Sequence, residues 1–128
     1  MSYTIKKTVD YGFNEAVDKV QEDLKEEGFG VLCDIDVKET FKKKLDIEFR
    51  RYRILGACNP GYARTGLAEE IDLGVLLPCN VLVYETDEGD VVVSALDPRT
   101  IIDVTENEDL ECITDDVYEI LDGVVSEL

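Results

Sequence analysis

No histidine occurs anywhere in the 128 residues. That absence removes His-based general catalysis, Ser/Cys–His nucleophile pairs and every His-containing metal site together. Four cysteines are present, but no two stand in a CxxC spacing. In a chain without a leader they read as free thiols rather than disulfides. No glycine-rich phosphate loop appears, and no acid/base constellation has a credible partner. No catalytic residue, metal ligand set or cofactor is therefore expected. No apolar run approaches the ~20 residues that a membrane helix needs. The opening "MSYTIKKTVDYGF" has too short an apolar region for a signal peptide. The expected compartment is the cytoplasm.

Basic residues are scarce in one half only. Residues 1–64 hold twelve acidic and twelve basic side chains, whereas residues 65–128 set eighteen acidic ones against Arg99 alone. The net charge of −17 thus belongs to the second half. Such a surface repels phosphate and anionic lipid, so neither nucleic acid nor membrane is an expected partner. The basic clusters "FKKKL" and "FRRYR" read as solvated faces beside acidic neighbours.

The apolar content is ordinary for a globular chain. The length is one domain's worth, enough to bury roughly two thirds of the unfolded surface. A single domain over 1–128 is expected. "SYTIKKTV" reads as a strand. Phe13, Ala16, Val17, Val20 and Leu24 then recur at helical spacing, with Gly28 ending the helix. "GVLCDIDV" alternates, which places Val31, Cys33, Ile35 and Val37 on one face and makes Cys33 a packed core thiol. "KETFKKKLDI" reads as a short helix and "FRRYRILGA" as the next strand. Asn59 and Pro60 suit the cap and first position of a helix carrying Ala63, Leu67 and Ile71 on one face, with Gly74 able to end it. "LPCNVLVYE" and "DVVVSAL" are strands around the turn "TDEGD". "DPRTIIDVT" is a connector with a short helical turn. A final helix, capped by Asn107, carries the stripe Leu110, Ile113, Val117, Leu121, Val124 and Leu128. Asp34 and Asp36 are expected to face Arg51 and Arg53 across a strand pair. Cys112 lies off the stripe and is expected at the surface or at an interface. The order implies an α+β two-layer sandwich, a mostly antiparallel sheet with helices packed on one face.

Two stretches echo each other: "ILGACNPGY" and "LLPCNVLVY" both place a cysteine before an asparagine, Cys58-Asn59 and Cys79-Asn80. If their strands are antiparallel neighbours joined by the helix between them, both pairs meet at one edge of the sheet. A helix N-terminus there attracts anions and lowers the pKa of a nearby thiol. Three readings follow: a small-ligand cleft lined by Cys58, Asn59, Cys79 and Asn80; a redox or soft-metal thiol pair of Cys58 and Cys79; or residues that only cap, tie down and fill the fold. Two cysteines alone leave zinc short of four ligands.

"YRILGACNP" followed by "LGVLLPCNVLVYE", with "GFGVL", "DIDV" and "DEGDVVVSALDP", resembles the family known as domain of unknown function 302, nearly end to end. Where relatives tend to read "NPPLA", this chain has Pro60-Gly61-Tyr62-Ala63. The resemblance implies a compact fold with TATA-binding-protein-like topology, a homodimer, and a bacterial or archaeal source. It implies no known activity.

Overall fold

The computed structural model describes residues 2–128. Its elements follow the apolar periodicities. Strand β1 (Thr4–Val9) leads into helix α1 (Phe13–Glu26), whose buried side is Phe13, Ala16, Val17, Val20 and Leu24. The helix stops in a Schellman arrangement. The N–H of Phe29 donates to the carbonyl of Leu24, that of Gly28 to the carbonyl of Lys25, and Gly28 takes φ +84°. β2 (Gly30–Asp36) and α2 (Val37–Leu45) follow, then β3 (Tyr52–Cys58) and α3 (Pro60–Glu69). A 3₁₀ turn over Ile71–Leu76 delivers the chain to β4 (Cys79–Glu85). The turn to β5 (Val91–Leu96) has Gly89 at φ +88°, as the "DEG" sequence requires. The short helix α4 (Thr100–Thr105) precedes a 3₁₀ turn over Glu108–Leu110, capped by Asn107, which runs into α5 (Glu111–Ser126).

The five strands form one sheet in the order β1-β5-β4-β3-β2, every neighbouring pair antiparallel. Helices α1 and α5 cover one face. Leu24, Val20 and Leu121 meet Leu55, Val81, Val83 and Val93 there, all essentially excluded from water. Each such side chain contributes about 1.5–3 kcal/mol on burial. This is the expected α+β two-layer arrangement. A smaller cluster of Leu73, Ile101 and Leu110 closes one end.

Three local expectations are corrected. Cys33 is exposed, not packed in the core. The pairing of β2 with β3 slips between Val31 and Cys33, so that Val31 opposes Ala57 and Cys33 opposes the very next residue, Gly56. Leu32 is the extra residue of a β-bulge, and everything beyond it changes face. Helix α3 ends at Glu69, so Gly74 lies inside the 3₁₀ turn and Ile71 points into solvent. Arg53 does donate to both carboxylate oxygens of Asp34. Asp36, however, caps α2 by accepting from the N–H of Glu39, and Arg51 lies instead 3.8 Å from Glu85.

Candidate functional site

The two Cys-Asn steps do flank adjacent strand ends, with Ala57 directly opposite Cys79. Asn59 leaves β3 and caps α3: its Oδ1 accepts from the N–H of Tyr62 at 3.2 Å, and its carbonyl from the N–H of Ala63 at 3.0 Å. Pro60 at the first helical position has no N–H to leave unsatisfied. One amide that could serve an anion, that of Tyr62, is thus already engaged by the chain's own cap.

Behind this corner is a cavity of about 50 Å³, bounded by the end of the sheet, α3, the 3₁₀ turn after it, α4 and α5. Its walls are mostly hydrocarbon: Phe29, Ala57, Leu73, Leu77, Ile101, Leu110 and Val117. Cys58, Asn59, Tyr62, Cys79 and Thr114 add the few polar atoms. The Thr114 hydroxyl is satisfied by the carbonyl of Glu111. Among the described residues no buried side-chain nitrogen or oxygen lacks a hydrogen-bond partner. Burial, reinforced by the neighbouring Cys58, pushes the Cys79 thiol up to about 11. At neutral pH it is a protonated, poorly nucleophilic group.

Three of the four expected residues, Cys58, Asn59 and Cys79, line this cavity; Asn80 does not. Successive residues of a strand point to opposite faces, so a buried Cys79 sends Asn80 to the other side of the sheet. There it is exposed in a separate depression beside Pro78, Val75, Leu96 and Val104. Leu77 and Ile101 line both hollows and form the wall between them.

One further constellation holds this corner together. Asp97, almost fully buried, accepts from Nε and Nη2 of Arg99 at 3.0 and 2.7 Å and from the Arg99 backbone N–H at 3.0 Å. The guanidinium sits 3.7 Å over the ring of Tyr118 on α5. This clamp fixes Pro98 and Ile101, both cavity walls, against α5. Sequence reading passed over it, although its signal was present: Arg99 is the only basic residue of the second half.

A family model described as "Domain of unknown function DUF302" matches residues 5–128. No curated protein matches the chain. Among solved structures, the chain is similar to an uncharacterized conserved protein of the same family from Bacillus stearothermophilus. The two are 29% identical, with 98% of each chain covered and a TM-score of 0.91. Among the described residues no helix is long and apolar enough to cross a membrane.

Proposed function

The chain belongs to the family described as domain of unknown function DUF302, and from that premise we propose a homodimeric small-ligand-binding or sensing module whose ligand is small and largely apolar. The observation that carries this reading is the hydrocarbon-walled cavity at Cys58, Asn59 and Cys79. Its volume holds roughly three to five non-hydrogen atoms at 10–15 Å³ of such space each. Dry apolar cavities of this kind take up apolar guests because the walls lose nothing by exchanging void for contact. An anionic ligand fits less well, since the cap of α3 is occupied by Asn59 and every buried polar side-chain atom described is already paired. The alternative of a redox or metal site at Cys58 and Cys79 is disfavoured by the raised pKa of Cys79, because both chemistries need the thiolate. No catalytic step is assigned.

Xenon is the direct probe. Wild-type protein should show saturable NMR shifts at Cys58, Tyr62 and Val117 under xenon pressure. Ala63→Leu, which fills the cavity from a half-exposed position on α3, should not. A thermal-shift panel of small apolar metabolites on the same pair then narrows the ligand. No saturable xenon shift and no panel compound that separates the two proteins would leave only a purely structural or partner-binding domain.

A further inference from the structure

The hollow on the outer side of Leu77 and Ile101 measures about 290 Å³, against about 50 Å³ for the inner cavity. It stands near the ~300 Å³ at which small-molecule sites begin. Strand pairing opens it. β4 is paired to β3 from Cys79 onward, and β5 to β1 as far as Leu96. Between themselves, however, β4 and β5 pair only from Val81–Ala95 to Glu85–Val91. The next residue of each strand, Asn80 and Leu96, borders the hollow. The 3₁₀ turn adds Val75, and α4 adds Thr100 and Val104. The apolar lining is entirely aliphatic, and no lining residue is charged. Asp72 on the 3₁₀ turn and Asp103 on α4 are exposed but do not line it. Two polar side chains stand among the walls, both neutral. Asn80, exposed on β4, offers a donor and an acceptor side by side in its carboxamide. The Thr100 hydroxyl donates to the carbonyl of Asp97 at 2.8 Å, so it presents lone pairs alone to a guest.

We propose that this outer hollow is a second ligand site, for a small uncharged molecule that joins a branched aliphatic group to an amide. This goes beyond the inner-cavity reading above and does not depend on it. The aliphatic walls match an isopropyl or isobutyl arm by contact alone. The head group follows from the two polar side chains. An amide pairs reciprocally with a carboxamide, its N–H to Oδ1 and its carbonyl to Nδ2 of Asn80. The second N–H of a primary amide is a donor that the Thr100 oxygen can accept. An anion meets no cation here. Arg99, the only basic residue of 65–128, is held by Asp97, and the eighteen acidic residues of that half oppose negative charge. A cation finds no carboxylate in the lining and would give up hydration with nothing to replace it.

Three probes of one shape test this: isovaleramide, isovalerate and isopentylamine, titrated into isotope-labelled protein and followed by NMR. In about 0.15 M NaCl, charges beyond about 8 Å are largely screened. There the amide should give saturable shifts at Val75, Asn80, Leu96, Thr100 and Val104, with a millimolar Kd for so few atoms. The two ions should bind at least tenfold more weakly. Asn80→Leu keeps the bulk but removes donor and acceptor together, and should weaken the amide roughly tenfold. Val104→Trp, at an exposed position on α4, should block the hollow. Both positions are exposed, so neither change takes a side chain from the core. Ala63→Leu, which fills the inner cavity, should bind the amide as the wild type does, so the two sites stand or fall separately. The proposal is overturned if no saturable shift appears at these residues up to about 20 mM amide. It is overturned equally if either ion binds as tightly as the amide, or if Asn80→Leu binds the amide unchanged. Loss of amide binding in Ala63→Leu would assign the ligand to the inner cavity and overturn it as well.

Discussion

A Cβ added to Gly28 would lie 3.0 Å from Nδ2 of Asn59. The turn that ends α1 and the cap that starts α3 are thus packed on each other, though β2, α2 and β3 separate them in sequence. Gly28 also sits at φ +84°, where a side chain costs about 1–2 kcal/mol. Gly28→Ala should therefore lower stability by about 1–2 kcal/mol in urea unfolding, and Asn59→Ala by about 1 kcal/mol through the lost cap. Because the two share a contact, the double variant should lose less than the sum. Strict additivity would show that the contact carries no energy.

Cys79 gives an alkaline signature. Its folded pKa of about 11 lies above the ordinary thiol value. The associated stability is complete below about pH 8.5 and is lost as pH rises through 11. Iodoacetamide at pH 8 should label the exposed Cys33 and Cys112 within minutes and Cys79 only at the rate of unfolding. Rapid labelling of Cys79 in folded protein at pH 8 would contradict its burial and revive the thiolate readings.

Asp97 gives the acid counterpart. Hydrogen bonds from the Arg99 side chain hold its carboxyl below the usual range, against a burial that raises it. That stabilisation is present above the unfolded value of about 3.9 and is lost as pH falls through the lower folded value. Asp97→Asn should be less stable than wild type by about 1–2 kcal/mol at pH 7, given the charge-assisted bonds removed. The difference should shrink toward pH 3. A gap that does not change with pH would assign the effect to packing alone.

Gly56 tests the bulge. A Cβ there would come within 2.5 Å of Cys33 Sγ and 2.8 Å of Pro78 Cγ. Gly56→Ala should destabilise by about 1–3 kcal/mol as an overpacked site. Adding Cys33→Ala should recover part of the loss, since the shorter side chain frees the nearer contact. No recovery would place Cys33 elsewhere.

The pattern of the chain carried most of this architecture. The stripe on α5, the Asn59 cap and the glycine turn at 86–90 each depend on local chemistry that a sequence displays. The bulge did not, because Val31, Cys33 and Ile35 keep an unbroken alternation of small and apolar residues straight through it. Only the pairing with β3 shows that Leu32 is surplus. The candidate site was legible to within one residue. The strand ends meet, but the period of two that identifies β4 as a strand also forbids Cys79 and Asn80 from facing the same hollow. The clamp of Asp97 and Arg99 was hidden by its shortness: two residues apart, it resembles an ordinary loop until Tyr118 arrives from α5.

Leu77 and Ile101 belong to both hollows, one side of each bordering the inner cavity and the other the depression beside Asn80. A partition shared in this way couples its two rooms. A guest that swells the cavity displaces the same two side chains that floor the outer depression. Filling the one and reshaping the other then become linked equilibria, each shifting the other by the same factor. Chemical shifts of Val75 and Val104, which line the outer depression, with and without xenon would read that coupling, and no change would mean that the wall is rigid.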